Sequence, residues 1–331
     1  MSLDGFISIV TEYAEPKYRA EQIFNWIYNR NVQSFDEMEN IPRQLKKNLA
    51  DNYILNPLKL LKVTGSKSAR TRKYLLECQD GNRIESVLMK EQKRITICLS
   101  SQVGCALGCE FCATGTMGII RNSTVGEIVA QYLLLLKESE KPITNVVFMG
   151  MGEPFLNYDN VIKSADLLNH PEGINLGARH ITISTVGIVP QIRQFAEEKQ
   201  RYKLAISLNG STQEQRLETM PIAKKYPIDK LIESIKYYND ETRNLVTFEY
   251  VLLADINDSE SDAKRLINLI SNVPSKLNVI PYNEIGGKFR RPSDEKIREF
   301  LSNFSNAPFM VTTRWSKGAD INAGCGQLVV T

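Results

Sequence analysis

Ile95-Thr-Ile-Cys98-Leu-Ser-Ser-Gln-Val-Gly-Cys105-Ala-Leu-Gly-Cys109-Glu-Phe-Cys112 opens the region in which strands begin to alternate with helices. Ile95–Leu99 has the β-branched, apolar character of a buried strand, and three cysteines follow in one loop. Further strand-like runs lie at Asn145–Met149, His180–Ser184, Lys203–Leu208, Val246–Leu253 and Leu277–Pro281. Helical segments separate them at Val125–Lys137, Asn160–Leu168, Val189–Glu198, Asp229–Tyr238 and Glu260–Ser271. Thr124 with Glu127 makes a capping box, and Pro190 and Asp258-Ser259 mark two more helix starts. Six β/α units in series predict an α/β fold on a parallel sheet, either an incomplete barrel or a doubly wound sheet.

Upstream the pattern differs. In Tyr18–Val32 the residues Ala20, Ile23, Phe24, Ile27 and Tyr28 recur on one helix face, and a second helix fits Pro42–Tyr53 with Pro42 in its first turn. Lys73–Cys78 and Ile84–Met89 flank Asp80-Gly81 and predict a hairpin. The chain thus divides into a helical unit with a hairpin, 1–90, and a β/α unit, 91–331. The net charge of +3 hides an uneven distribution. Ile41–Lys73 carries nine basic residues against Asp51 alone, which points to a polyanion partner with RNA as first candidate. No apolar run approaches the roughly 20 residues of a membrane span, and the N-terminus lacks a secretory leader pattern. A cytoplasmic monomer that touches no membrane is expected.

The six cysteines are Cys78, Cys98, Cys105, Cys109, Cys112 and Cys325, and the only histidines are His170 and His180. Cysteines clustered in a chain of this kind more often bind metal or do redox chemistry than form a disulfide scaffold. A closed iron–sulfur cluster or a structural zinc takes four protein ligands. Three thiolates at the spacing CxxxCxxC leave one iron open, and a substrate or cosubstrate can coordinate there. Gly150–Glu153, Ser184–Gly187, Ser207–Gly210 and Asn283 all follow strands, where parallel β/α folds bind ligands. Cys78 reads as a small buried residue, and Trp26 and Trp315 as packing.

The cysteine loop resembles that of radical SAM enzymes. More narrowly, YRAEQIFNWIY, ICLSSQVGCALGCEFCATG, FMGMGEPFLN, ARHITISTVGIVP, MPIAKKYPID, VTFEYVLL, NVIPYN and CGQL resemble, in order, the RlmN/Cfr family of RNA adenine methyltransferases. The resemblance implies an incomplete (β/α)6 barrel with a [4Fe–4S] cluster on Cys105, Cys109 and Cys112. The vacant iron would bind S-adenosylmethionine, contacted by Gly152, Glu153, Ser184, Ser207, Leu208, Asn209 and Asn283. Cys325 looks like the cysteine that carries the methyl group, Cys98 like its partner, and Glu85 like the acid that handles the proton.

The resemblance also implies a mechanism. One S-adenosylmethionine methylates Cys325; a second yields a radical that takes hydrogen from that methyl group. The carbon then adds to the adenine, and Cys98 displaces the product by forming a disulfide. The implied substrates are C2 of an adenine in 23S rRNA at the peptidyl-transferase centre and the tRNA adenine 3′ of the anticodon. RNA would be engaged by the N-terminal helical region, and electrons would come from an external flavodoxin-like donor.

Gly152-Glu153-Pro154 resembles the C2 branch rather than the C8 (Cfr) branch, which stands as the alternative beside a non-catalytic RNA-binding paralogue. A methylthiotransferase would need a further cysteine cluster, and no cysteine precedes Cys78. Ala319 and Asn322 stand where the family has aspartate, Gly324 where it has alanine and Asn209 where it has histidine. Glycine at 324 predicts a looser loop before Cys325.

Overall fold

A computed structural model describes residues 1–330. Three helices come first, α1 (Leu3–Glu12), α2 (Tyr18–Tyr28) and α3 (Arg43–Asn52). The stripe expected on α2 is buried from Ala20 to Tyr28. Pro42 lies at the N-cap of α3 with ψ 140°, one step outside the expected first turn. Antiparallel strands β1 (Leu58–Thr64), β2 (Thr71–Cys78) and β3 (Arg83–Lys90) follow. The β2–β3 turn forms at Asp80-Gly81, where the Asp80 carboxylate accepts from the Asn82 amide at 3.1 Å and Gly81 has φ +78°.

Two of the nine basic residues of the 41–73 stretch are drawn into the structure. Buried Arg72 pairs with Glu138 at 3.0 Å, and Lys73 with Glu85 at 2.9 Å. The stretch contains strand β1, unexpected from sequence, whose exposed Lys59 and Lys62 sit on the edge of the sheet as edge strands commonly require.

The remaining strands are β4 (Ile95–Cys98), β5 (Gln102–Gly104), β6 (Ile119–Asn122), β7 (Asn145–Phe148), β8 (Ile181–Thr185), β9 (Lys203–Ser207), β10 (Val246–Leu252), β11 (Ser275–Pro281) and β12 (Met310–Thr313). The main sheet has ten strands in the order β1-β2-β3-β4-β7-β8-β9-β10-β11-β12. β4 pairs antiparallel with β3 and parallel with β7, and every later pairing is parallel. The six expected parallel strands are all present, and β12 adds a seventh. Its four residues alternate only between exposed and half-buried, too short and weak a pattern to read.

Helices α4 (Ala113–Thr116), α5 (Val125–Glu138), α6 (Tyr158–Asn169), α7 (Val189–Glu197), α8 (Gln213–Thr219), α9 (Ile228–Thr242), α10 (Glu260–Ile270) and α11 (Asp294–Ser302) complete the chain. The capping box at α5 forms as expected: Thr124 Oγ1 accepts from the Glu127 amide at 3.2 Å, and Glu127 accepts from the Thr124 amide at 2.8 Å. No helix among the described residues is long and apolar enough to cross a membrane.

Candidate active site

Alternation along each parallel strand sends every second side chain into the barrel. Near the N-terminal ends these are Thr96, Asn145, Thr182, Lys203 and Thr247; near the C-terminal ends they are Cys98, Met149, Ser184, Ser207 and Val251. Two cavities result. The first, about 130 Å³, lies at the C-terminal ends and is lined by Cys105, Cys109, Cys112, Gly152, Glu153, Ser184, Ser207 and Asn209. The second, about 590 Å³, runs down the inside of the barrel past Cys98, Glu249 and Asn278 to Arg94 and Lys203. Met149, Glu249, Ile280, Arg314, Cys325 and Leu328 line both cavities.

The three-cysteine loop is held by the β5–β6 hairpin, where the Cys105 amide donates to the Gly118 carbonyl at 2.8 Å. Burial pushes the Cys105 thiol up to about 11 and the Cys109 and Cys112 thiols above their ordinary range. Among the described residues no three ligating side chains converge on one ion as a zinc site requires. Cluster thiolates instead spread over different irons. Arg216 lies wholly buried beside Cys109 and donates to the carbonyls of Ser207 (3.2 Å), Leu208 (2.5 Å) and Val186 (3.1 Å). Among the described residues its Nε has no hydrogen-bond partner and no carboxylate forms an ion pair with it. A buried cation beside three free thiols, those of Cys105 and Cys109 buried and that of Cys112 half-buried, fits an anionic iron–sulfur cluster.

Glu153 is also buried, which pushes its carboxyl up to about 7 against hydrogen bonds that favour the charged form. Its two oxygens accept from the amides of Phe155 and Val186, both at 3.0 Å, bridging the ends of β7 and β8. A cationic amine beside it restores the charged form.

Cys325 and Cys98 reach the shared region from opposite ends of the chain, and both are free thiols. Cys325 is accessible because it opens on both cavities, while the protein on its other sides pushes its thiol up to about 11. Burial pushes Cys98 to about 12, and the two sulfurs lie near enough that the charge of Cys325 adds to the shift. The Arg314 guanidinium opposes both shifts. Glu249, 6% exposed, faces the same wall; one oxygen accepts from Asn278 at 3.0 Å and the other has no partner. Sequence reading missed Arg216, Glu249 and Arg314, because each matters through neighbours distant in sequence.

The segment around Cys325 is tied down on every side. Asn283 donates to the Cys325 carbonyl at 3.0 Å, the Ala113 amide to Gly326 at 2.7 Å, and Thr114 to Leu328 at 2.6 Å. The Gly324 amide donates to Gln327 at 3.0 Å, and a Cβ at 324 would lie 2.8 Å from Asn283. Glycine there permits close packing, so the looser loop expected from it is corrected.

Other expected residues fall outside the cavities. Asn283 lines neither and contacts Cys325 instead. Leu208 is wholly buried in the core, with its carbonyl taken by Arg216. Glu85 lines neither cavity; Lys73 holds one oxygen at 2.9 Å and the Val329 amide the other at 3.0 Å. Asn209 turns with φ +53° and its side chain accepts from the Val251 amide at 2.9 Å. Trp315 was expected to pack but is 46% exposed at the mouth of the second cavity; Trp26 does pack, and its indole donates to Asn40 at 2.6 Å.

Residues 99–267 match the Radical SAM superfamily model, and residues 1–55 the ribosomal RNA large subunit methyltransferase N-terminal domain. A probable dual-specificity RNA methyltransferase RlmN of Dictyoglomus thermophilum is 47% identical over 330 residues, covering 98% of this chain and 94% of the relative. The chain belongs to the RlmN family of radical SAM enzymes. Its RlmN counterpart in Thermotoga maritima is 45% identical, over 99% of this chain and 96% of the relative. The crystal structure of a radical SAM methyltransferase from Sphaerobacter thermophilus superposes with a TM-score of 0.96 at 41% identity, over 99% of this chain and 97% of that one. As a radical SAM enzyme the protein uses a [4Fe–4S] cluster and S-adenosylmethionine.

Arg314→Gln removes the cation that acts on both the Cys98 and the Cys325 thiols. In metal-free protein at pH 8, alkylation of Cys325 by iodoacetamide is expected to slow about three- to fourfold for each pKa unit gained, because the smaller thiolate fraction is partly offset by a more nucleophilic thiolate. An unchanged rate would show that Arg314 does not set the charge of this wall.

Proposed function

We propose that the protein methylates C2 of an adenine in 23S rRNA at the peptidyl-transferase centre, and the tRNA adenine 3′ of the anticodon, by a methyl-cysteine relay. The observation that carries this reading is the position of Cys325 on the wall common to both cavities, with Cys98 beside it on the side of the second. In this reading Cys105, Cys109 and Cys112 hold the cluster, and Glu153, Gly152, Ser184, Ser207 and Asn209 surround S-adenosylmethionine. Leu208 contributes through backbone only. Bound there, the two groups supply a methyl cation equivalent and a hydrogen-abstracting radical.

The chain's own residues do the rest. Glu153 receives the amino group of the cosubstrate through charge-assisted contact. Cys325 takes the methyl group on its sulfur while Asn283 holds its carbonyl, and so presents the carbon to the second cavity. Cys98, on β4, attacks the sulfur of Cys325: a Cys98–Cys325 disulfide forms as the bond from that sulfur to the carbon breaks. The freed carbon takes up a proton, and the one electron left over from the radical addition would return to the cluster. Glu85 accepts the proton that leaves the adenine; for this it must exchange its contact with the Val329 amide for one with substrate. Residues 1–90 engage the RNA and contribute Glu85, while 91–331 carry the rest of the chemistry. The enzyme works as a cytoplasmic monomer, with a flavodoxin-like electron donor. The relatives carry the RlmN name, which supports C2 over C8.

The test is anaerobic turnover with methyl-labelled S-adenosylmethionine and 23S rRNA. Label is expected first on Cys325 and then in 2-methyladenosine. Methylated RNA without prior label on Cys325 would sink the relay, and 8-methyladenosine would sink the regiochemistry.

A further inference from the structure

The second cavity opens at the end of the barrel opposite the cluster cysteines, and its rim is positively charged. Arg94 immediately precedes β4, Arg179 lies two residues before β8, and Lys203 and Lys276 sit at the starts of β9 and β11. All four are exposed. Partial burial, and then the charges of Lys276, Arg179 and Arg94, hold the Lys203 ammonium below its ordinary value, so the four cations crowd together. Arg94 has Glu91 at 3.0 Å, which Lys317 also contacts. Among the described residues no carboxylate forms an ion pair with Arg179, Lys203 or Lys276. Arg179, Lys203 and Lys276, gathered without acids of their own, repel one another, and the arrangement calls for an external polyanion.

Above this rim the wall carries the polar side chains of Thr96, Asn145, Thr182, Thr247, Asn278 and Thr312, with Glu249 and Arg314 farther in beside Cys325. Its volume of about 590 Å³ suits a nucleotide-sized ligand. Exposed Trp315 also lines this cavity, on the segment after β12 with the Arg291 guanidinium 6.0 Å from its ring centroid, and an exposed aromatic face can stack an unpaired base. The upper end of the passage is Cys325.

We infer that Arg94, Arg179, Lys203 and Lys276 bind the phosphodiesters of the substrate RNA, so that the target nucleotide enters the barrel from the N-terminal ends of its strands. The inference rests on the RNA methyltransferase reading and adds the route and the anchoring groups. Cofactor and RNA then approach Cys325 from opposite ends of the barrel. This contact surface is separate from the basic residues of α3 and β1. It fixes the strand next to the flipped base, whereas the N-terminal helices hold RNA farther away.

The test compares wild-type holoenzyme with the triple variant Arg179→Gln/Lys203→Gln/Lys276→Gln and a control, Lys230→Gln/Lys264→Gln/Lys296→Gln, on exposed outer helices. Binding of a fluorescent 23S rRNA fragment is titrated anaerobically at several salt concentrations. Loss of three phosphate contacts is expected to weaken binding about tenfold or more and to lower the slope of log K against log salt by about 2. Relief of repulsion leaves the thermal midpoint of the triple variant unchanged or higher, which separates lost contacts from misfolding. If wild type binds and methylates the RNA while the triple variant matches the control, the anchoring surface is wrong and the methyltransferase reading stands. If wild type binds no RNA, both fall.

Discussion

Cys98→Ala enzyme, given S-adenosylmethionine, reductant and RNA without oxygen, is expected to accumulate a covalent protein–RNA product and release almost no methylated RNA. Cys98 is 7% exposed on β4, and alanine differs from it only by a sulfur. The stability loss should stay near the ~1 kcal/mol of an ordinary substitution, so the barrel and cluster persist. The early steps need Cys325 and the first cavity, which this change leaves intact. In the proposed relay only the final attack on the Cys325 sulfur has lost its nucleophile. The block is therefore specific: a gel-shifted species sensitive to both protease and ribonuclease forms, and turnover falls by roughly four to six orders of magnitude, the scale of losing one essential catalytic group. Multiple turnovers with free 2-methyladenosine from this variant would remove Cys98 from the mechanism.

Gly104→Ala is expected to be nearly as damaging, for a structural reason. Gly104 has φ +77°, where an alanine pays roughly 1–2 kcal/mol, and its Cβ would lie 2.0 Å from the Gly118 carbonyl oxygen. That backbone cannot yield without opening the β5–β6 hairpin, and the same carbonyl accepts from the Cys105 amide at 2.8 Å. Iron content of the anaerobically purified protein should fall about tenfold or more, as for the loss of a group that orients metal ligands. Gly118→Ala is the comparison. Its φ is +72°, but a Cβ there meets nothing within 4 Å, so it pays backbone strain alone and keeps its iron. Equal iron in both variants would mean the hairpin does not set the cysteine loop.

What could be read from sequence was what is local. The capping box at Thr124, the Asp80-Gly81 turn and the six parallel strands each depend on short-range periodicity or spacing. The cysteine triplet is equally local. Arg216 shows the limit, since Gln213–Thr219 reads as a polar surface helix and yet its arginine is wholly buried against three carbonyls. Glu249 sits in the middle of an apolar strand, a weak anomaly that only the partners from β11 and Arg314 make meaningful. Gly324 misled in the opposite sense. Flexibility was inferred from the residue type, whereas contact with Asn283 leaves no room for anything larger. The basic rim of the barrel comes from four separate segments, so no window of sequence contains it.

The placement of Cys325 on a partition has one more implication. With the carrier proposed above, the cosubstrate and the nucleic acid never share a compartment, and the sulfur works as an airlock through which a single carbon passes. The first half-reaction then needs no RNA, and the enzyme can wait in a charged state until a substrate arrives. A reactive species made on one side is also formed apart from the ribose and bases it would otherwise damage, because Cys325 stands on the wall between the two cavities.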